Sequence, residues 1–348
     1  LCPAPCEEAC VLGINEDPVS IENIEKNIVE IAFESGWIKP ITPHKKTNKT
    51  VAVIGSGPAG LATAQQLNRA GHSVTVFERD EKIGGLLRYG IPDFKMEKHI
   101  IDRRLQVLKD EGITFNTGIH IGKDIPAQVV KEAFDALVLC GGATVKRQLP
   151  IPGADLKGVV QAMDFLPHNN RKVDGIPFKG DDISAKGKHV IVIGGGDTGS
   201  DCIGTSIRHG ALSVTNFEIM PRATLSRPHG QPWPFWPMRL RTSSSHDEGA
   251  ERVFSIATKK FIGDDKGNLK GLLTVEVEWV KTPGKRPQLK EIKGTEKEWT
   301  CDLVLLALGF TGSETTMAEQ LGLEIDTRTN IQASAVNYKT NVPGVFVA

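Results

Sequence analysis

The chain has 348 residues, a length that as a soft prior holds two or three domains, and its 39% hydrophobic and 24% charged content is that of an ordinary globular protein. Lys plus Arg and Asp plus Glu number 42 each, so the net charge is zero, which excludes a global electrostatic pull toward nucleic acid or an anionic membrane. The longest apolar run, Leu303 to Leu308, falls far short of the roughly 20 residues that cross a bilayer, and with no charged-then-apolar leader the expected location is cytoplasmic.

The sequence opens on Cys2-Pro3-Ala4-Pro5-Cys6-Glu7-Glu8-Ala9-Cys10. Clustered cysteines in a cytosolic protein suggest metal or redox chemistry more than structural disulfides. Thiolates ligate iron–sulfur clusters, and a cubane needs four ligands. Cys2, Cys6 and Cys10 are read as iron–sulfur ligands, with zinc as the alternative, and the chain cannot complete a site from cysteine alone. The opening at Leu1 and the stop at Ala348, inside a strand-like run, suggest a piece of a longer protein. A helix follows, with Ile21, Ile24, Ile28 and Ile31 at helical spacing, Ser20 as its N-cap and Gly36 as its end. Pro40, Pro43 and His44-Lys45-Lys46 make a polar linker.

At Thr50 the pattern changes to a buried strand over Val51–Ile54, a helix over Ala59–Ala70 and a second strand over Ser73–Phe77. Between strand and helix stands Gly55-Ser56-Gly57-Pro58-Ala59-Gly60. In that pattern Gly55 permits the tight turn, Gly57 lets the backbone approach a pyrophosphate, and Gly60 lets helix and strand pack closely. The helix N-terminus offers free N–H groups and partial positive charge to the phosphates. Glu78, ending the second strand, is placed to accept from ribose hydroxyls. Gly84-Gly85 follows, then an amphipathic helix over 96–111 closed by Gly112 and an apolar strand over Ala136–Cys140.

The same grammar restarts with a strand over Lys188–Ile193, a helix over Thr198–Arg208 and a strand over Val214–Glu218. The second fingerprint is Gly194-Gly195-Gly196-Asp197-Thr198-Gly199, with Glu218 in the acidic position. Two fingerprints in one chain match an FAD domain interrupted by an inserted NAD(P) domain. Glu218 favours a ribose diol and hence NADH, whereas Arg222 and Arg227, just beyond it, are suited to the 2′-phosphate of NADPH. Residues 253–300 read as antiparallel strands, and Asp302–Leu308 as one more buried strand. No Cys-x-x-Cys pair follows Gly84-Gly85, so disulfide reduction is not expected.

Four stretches resemble the small (β) subunit family of bacterial glutamate synthases: Cys2-Pro-Ala-Pro-Cys6, Arg88 to Lys95 with Ile101-Asp-Arg-Arg104, Gly194 to Cys202, and Arg241-Thr-Ser-Ser-Ser-His246. Shorter motifs are similar to the N-terminal part of dihydropyrimidine dehydrogenase and to the NADPH-binding subunit of bifurcating transhydrogenases. The resemblance implies an α/β protein with two Rossmann-type dinucleotide-binding domains of the disulfide-reductase-like flavoprotein fold, preceded by a small α-helical iron–sulfur segment. The implied boundaries are 1–45 for the end of the helical 4Fe–4S domain and linker, 46–150 for the first part of the FAD domain, 151–308 for the NAD(P)H domain, and 309–348 for the FAD domain's return.

It also implies that hydride passes from NADPH to FAD and that single electrons then pass through 4Fe–4S clusters to a large (alpha) subunit. That subunit makes glutamate from 2-oxoglutarate and glutamine. The FAD contacts implied are Gly55, Gly57, Pro58, Ala59, Gly60, Glu78, Arg79, Gly85, Leu86, Lys95, Gly141, Ala143 and Thr144. The nicotinamide contacts are Gly194, Gly196, Asp197, Thr198, Gly199, Arg222 and Arg227. Cys2, Cys6 and Cys10, with Glu25 on the first helix, are the metal candidates, and no catalytic residue is expected beyond the cofactors.

Overall fold

A computed structural model describes residues 2–177, 180–282, 284 and 286–348. It begins with a short helix, α1 (Pro5–Glu8), a 3-10 turn at Val11–Ile14, and α2 (Ile21–Glu34). Gly36 sits past the end of α2 with φ +66°, the left-handed cap that the sequence suggested. Ser20 flanks α2 but its side chain makes no capping bond. The Glu7 carboxylate accepts from the Glu22 amide instead, at 2.9 Å, taking one of the orphan donors of the first turn. The helical period of Ile24, Ile28 and Ile31 does not mark a core, for all three are exposed. What ties α2 down is Arg103, paired with Glu30 through two bonds of 2.6 Å and stacked on Phe33.

The first unit runs β1 (Thr50–Ile54), α3 (Pro58–Arg69), β2 (Ser73–Phe77), α4 (Leu86–Tyr89), α5 (His99–Asp110), β3 (Thr114–Asn116), α6 (Ala127–Ala133) and β4 (Ala136–Leu139). After β5 (Val145–Lys146) the second unit contributes β6 (Val159–Gln161), α7 (Ala162–Val173), β7 (His189–Ile193), α8 (Asp197–Arg208), β8 (Ser213–Glu218), α9 (Ser244–Asp247) and β9 (Ala250–Phe254). Strands β10 (Ile256–Gly263), β11 (Leu269–Val280), β12 (Gln288–Glu291) and β13 (Lys297–Thr300) form an antiparallel layer centred on β11. The expected antiparallel stretch thus starts at β10, since Val253 and Phe254 belong to β9, which pairs parallel with β8. Then come β14 (Leu303–Leu306), β15 (Phe310–Gly312), α10 (Thr316–Leu321) and β16 (Val345–Val347).

Two five-stranded parallel sheets organise the molecule, in the orders β16-β4-β1-β2-β3 and β6-β14-β7-β8-β9. Parallel strands are covered on both faces, which explains their unbroken apolar runs. Along β1, Val51 and Val53 pack with α5 residues Ile101, Leu105 and Leu108. Ala52 and Ile54 face the other way, into a core shared with Ala127, Val130, Ala318 and Leu321. That second core needs α10 and β16, so the last part of the chain returns to the first sheet after the second unit is finished. The units are fastened to each other by polar contacts: Asn170 donates to the Tyr89 and Ile91 carbonyls at 2.9 Å, Arg171 meets Asp80 at 2.7 Å, and Lys82 meets Asp174 at 2.8 Å.

Candidate active site

At the C-terminal end of β1, three segments converge that the sequence had singled out separately. Gly55 lies so close to the end of β4 that an added Cβ would sit 2.4 Å from the Cys140 carbonyl oxygen, which brings Gly141 alongside. Gly60 packs on the turn itself, where a Cβ would lie 1.9 Å from the Gly55 carbonyl oxygen. The Gly84 amide donates to Ser56 Oγ at 3.0 Å, and a Cβ on Gly85 would come within 2.9 Å of the Gly57 Cα. Glu78 is buried at the centre of this knot. Its carboxylate accepts from the Ser56 amide at 3.0 Å, from the Ser56 hydroxyl, and from the Asp80 amide at 2.9 Å.

The mouth of the cradle is open. Gly57 caps α3 without a side-chain bond, so the first-turn amides, which include Ala59 and Gly60 behind Pro58, are not taken by a cap. Among the described residues, a Cβ on Gly57 would meet nothing within 4 Å. An uncapped helix N-terminus beneath open space fits a pyrophosphate. Leu86 and Ala143 are exposed beside it. Arg79 and Thr144 are joined by a residue the sequence did not suggest: Glu314 accepts from Arg79 at 2.7 Å and from Thr144 at 2.8 Å.

The second cradle repeats the first. Gly194 approaches the Ala307 carbonyl, where a Cβ would lie 2.3 Å away, and Gly199 packs on the Gly194 carbonyl with a Cβ distance of 2.2 Å. Gly196 caps α8 without a side-chain bond and opens onto free space, with Asp197 exposed at the rim and Thr198 half-buried behind it. Glu218 occupies the volume that a side chain at Gly195 would need, and accepts from the Met220 amide at 3.2 Å. Arg222 is exposed. Arg227 is engaged elsewhere: its guanidinium donates to the Phe235 carbonyl at 2.5 Å, the Gln231 carbonyl at 3.2 Å and the Glu8 carbonyl at 3.4 Å. A cation beside Glu218 that the sequence did not suggest is Arg252 on β9. Burial pushes its guanidinium down, and the Glu218 carboxylate opposes that shift.

Lys95 does not lie in the first cradle's knot. It reaches across to α8, 2.6 Å from Asp201. The three early cysteines are free, Cys2 and Cys6 exposed and Cys10 half-buried. The Cys10 thiol is shifted down, chiefly by a backbone hydrogen bond from Val19. Glu25 is exposed on α2. Among the described residues no three His, Cys, Asp or Glu side chains gather to hold a metal ion, so these four residues do not by themselves fit a cluster. Cys140, Cys202 and Cys301 are buried and free; burial pushes the Cys140 thiol up to about 11 and the Cys301 thiol up to about 12. Among the described residues no helix is long and apolar enough to cross a membrane.

Two glycine cradles, each at the carboxyl end of its own parallel sheet, define a dinucleotide-dependent oxidoreductase. Residues 49–348 match the pyridine nucleotide-disulphide oxidoreductase family. Among solved structures, Mycobacterium tuberculosis FprA in complex with NADPH has the same fold, with a TM-score of 0.66 at 19% identity over 86% of this chain and 78% of that one. The chain is 53% identical to the glutamate synthase (NADPH) small chain of Mycobacterium tuberculosis (strain CDC 1551 / Oshkosh), over 100% of this chain and 71% of that one. It is 48% identical to the glutamate synthase (NADH) of Schizosaccharomyces pombe, over 100% of this chain and 17% of that one. The chain belongs to the glutamate synthase small-chain family.

Proposed function

We propose that this chain is the electron-input subunit of a glutamate synthase, with FAD in the first cradle and NADPH in the second. The observation that carries the reading is the pair of uncapped, open helix N-termini at Gly57 and Gly196, in a chain 53% identical to an NADPH-named small chain. When bound, the nicotinamide supplies a hydride and the flavin accepts it. The protein's own part is binding and orientation. The α3 and α8 N-termini would hold the pyrophosphates by N–H donation and helix dipole. Glu78 fixes the Ser56 loop and offers its remaining acceptor capacity to the FAD ribose. The polar seam between the units keeps the two cradles in one arrangement.

The electrons taken up would pass on to a large (alpha) subunit that makes glutamate from 2-oxoglutarate and glutamine. Iron–sulfur ligation by Cys2, Cys6, Cys10 and Glu25 rests on the family resemblance. A second donor, NADH, is favoured by one specific arrangement: Glu218 stands at the ribose position while Arg227 is held by the Phe235 and Gln231 carbonyls. Arg222 and Arg252 remain as the cations near Glu218. The test is anaerobic titration of the FAD-loaded protein with each nicotinamide, followed by mixing with the large subunit, 2-oxoglutarate and glutamine. Bleaching of the flavin by NADPH and formation of glutamate are expected. A flavin that neither nicotinamide bleaches would overturn the reading.

A further inference from the structure

The 221–241 loop leaves the second unit just past Glu218, the last residue of β8. It carries Arg222, Arg227, Arg239 and Arg241 and no acid of its own. Its prolines, at 221, 228, 232, 234 and 237, have no N–H to give, so side chains must hold its shape. The counter-ion comes from the other end of the chain. The Glu8 carboxylate on α1 meets Arg239, Arg241 at 3.5 Å and Arg227 at 4.0 Å. Trp233 Nε1 donates to the neighbouring Ala9 carbonyl at 3.1 Å. Arg241 also stacks on Trp236 at 3.9 Å and donates to the Pro237 carbonyl at 3.0 Å, which closes the loop on itself. Glu7, one residue earlier, accepts from α2, and Arg103 fastens α2 to the first unit. Two adjacent glutamates thus tie the loop to the rest of the molecule.

A lone exposed ion pair contributes little, but several charges in one network contribute more. The Glu8 side chain is only 19% exposed, and without its charge three guanidiniums would face one another. The loop also borders the second cradle. Arg252 on β9 donates to the Arg241 carbonyl at 3.1 Å and stands in the field of both Glu218 and Arg222. We propose that Glu8 is a positioning residue for the second cradle: it latches the 221–241 loop in the shape that sets Arg222 and Arg252 beside Glu218, so that the cysteine-bearing segment tunes dinucleotide affinity. A binding-competent state that is populated only in part weakens the apparent affinity by that fraction. Such coupling is reciprocal, so a dinucleotide in the second cradle closes the loop onto α1. This rests on the nicotinamide site proposed above.

The test uses the FAD-loaded protein, Glu8→Gln, Arg239→Met and the double variant. Calorimetric titration with NADP+ and with NAD+ gives the two dissociation constants. Chymotryptic cleavage after Phe235, an exposed residue at the far end of the loop, reports how often the loop opens. Glu8→Gln is expected to keep wild-type flavin content, to raise both dissociation constants by the same factor, roughly fivefold, and to speed the cleavage. Saturating NADP+ should return the cleavage rate to near the wild-type value, which a merely structural contact would not do. Arg239→Met should act in the same direction, and the double variant should be no worse than the weaker single one, since the two residues act as one unit. Should Glu8→Gln fail to fold, Trp233→Phe serves in its place, with a smaller effect of the same kind. Wild-type affinity in the variants, faster cleavage that NADP+ does not reverse, weaker binding without faster cleavage, or losses that multiply in the double variant overturn the proposal alone. A wild-type protein that binds neither dinucleotide overturns the proposed function, and this proposal with it.

Discussion

The two dinucleotide units share one plan down to single hydrogen bonds, and they part in how each glycine turn meets its acid. In each, an aspartate just before the strand on one side of the central strand accepts from the first amide of that central strand: Asp135 from Thr50 at 2.8 Å, Asp302 from His189 at 2.9 Å. In each, the first fingerprint glycine passes under the carbonyl that ends the same neighbouring strand, Cys140 or Ala307. The difference lies at the second fingerprint position. Ser56 bonds Glu78 into a closed, buried knot, whereas Gly195 leaves its space to the Glu218 side chain. A loop locked by its own acid suits a resident cofactor that stays. A loop whose acid is partly exposed suits a cofactor that comes and goes.

The sharpest way to break this comparison is at the helix-packing glycines. Gly60→Ala and Gly199→Ala each force a Cβ against a backbone carbonyl, at 1.9 Å and 2.2 Å, and overpacking of that kind costs about 1–3 kcal/mol. The first variant should purify with little FAD. The second should keep FAD, as read from flavin absorbance per chain, but be reduced slowly by NADPH. Flavin loss in both would mean that the units are not separable.

The acids come next. Glu78→Ala leaves a buried amide donor at Ser56 and a half-buried one at Asp80 without their acceptor, at about 1–3 kcal/mol, and should lower both the urea midpoint and FAD retention. Glu218→Ala should change the unfolding free energy by less than about 0.5 kcal/mol and act on nicotinamide preference instead. A smaller contrast separates the two arginines. Arg222→Ala should raise the NADPH Michaelis constant roughly tenfold with NADH little changed, as for one lost charge-assisted contact. Arg227→Ala should affect both nicotinamides alike and speed proteolysis of the 221–241 loop. Equal behaviour of the two variants would return Arg227 to the phosphate site.

The smallest effect is an acid one. The Lys49 ammonium and the Thr50 amide and hydroxyl hold Asp135 down from the ordinary aspartate value of 3.8 to about 2. A depressed carboxyl contributes its stability above the ordinary value and loses it as pH falls through the lowered one. Acid melting between about pH 4 and pH 2 should therefore be shallower in Asp135→Asn than in wild type, with no difference near neutrality beyond a constant offset.

What the sequence made legible was what is local. Strand, glycine turn and helix follow one another within each fingerprint, and Glu78 and Glu218 end the next strand, so pattern alone places them. Glu314 could not be found that way, because its partners Arg79 and Thr144 lie far away in the chain and an acid after Gly312-Ser313 carries no signal of its own. Arg252 was hidden for the same reason: its relation to Glu218 exists only through the pairing of β8 with β9. Nearness in sequence also could not show that the loop folds back and engages Arg227 with its own Phe235 and Gln231 carbonyls. The apolar period of α2 reads as a helix and is one, yet Ile24, Ile28 and Ile31 stand exposed, because periodicity says nothing of what covers a face.

The return of β16 to the first sheet has a consequence for how the chain acquires its structure. Every strand of the second sheet lies between Val159 and Leu306. That sheet can close on an uninterrupted stretch of chain. The first sheet cannot: Val345 to Val347 pair with Leu137 to Leu139, and the core beneath needs Ala318 and Leu321. Loop-closure entropy rises only slowly with length, so this long detour weakens the finished structure little. Its effect is on timing. During synthesis the second unit has all the strands of its parallel sheet while the first still lacks an edge and a helix. The tighter of the two cradles, with its buried Ser56–Glu78 lock, is thus the one that must wait for the later part of the chain.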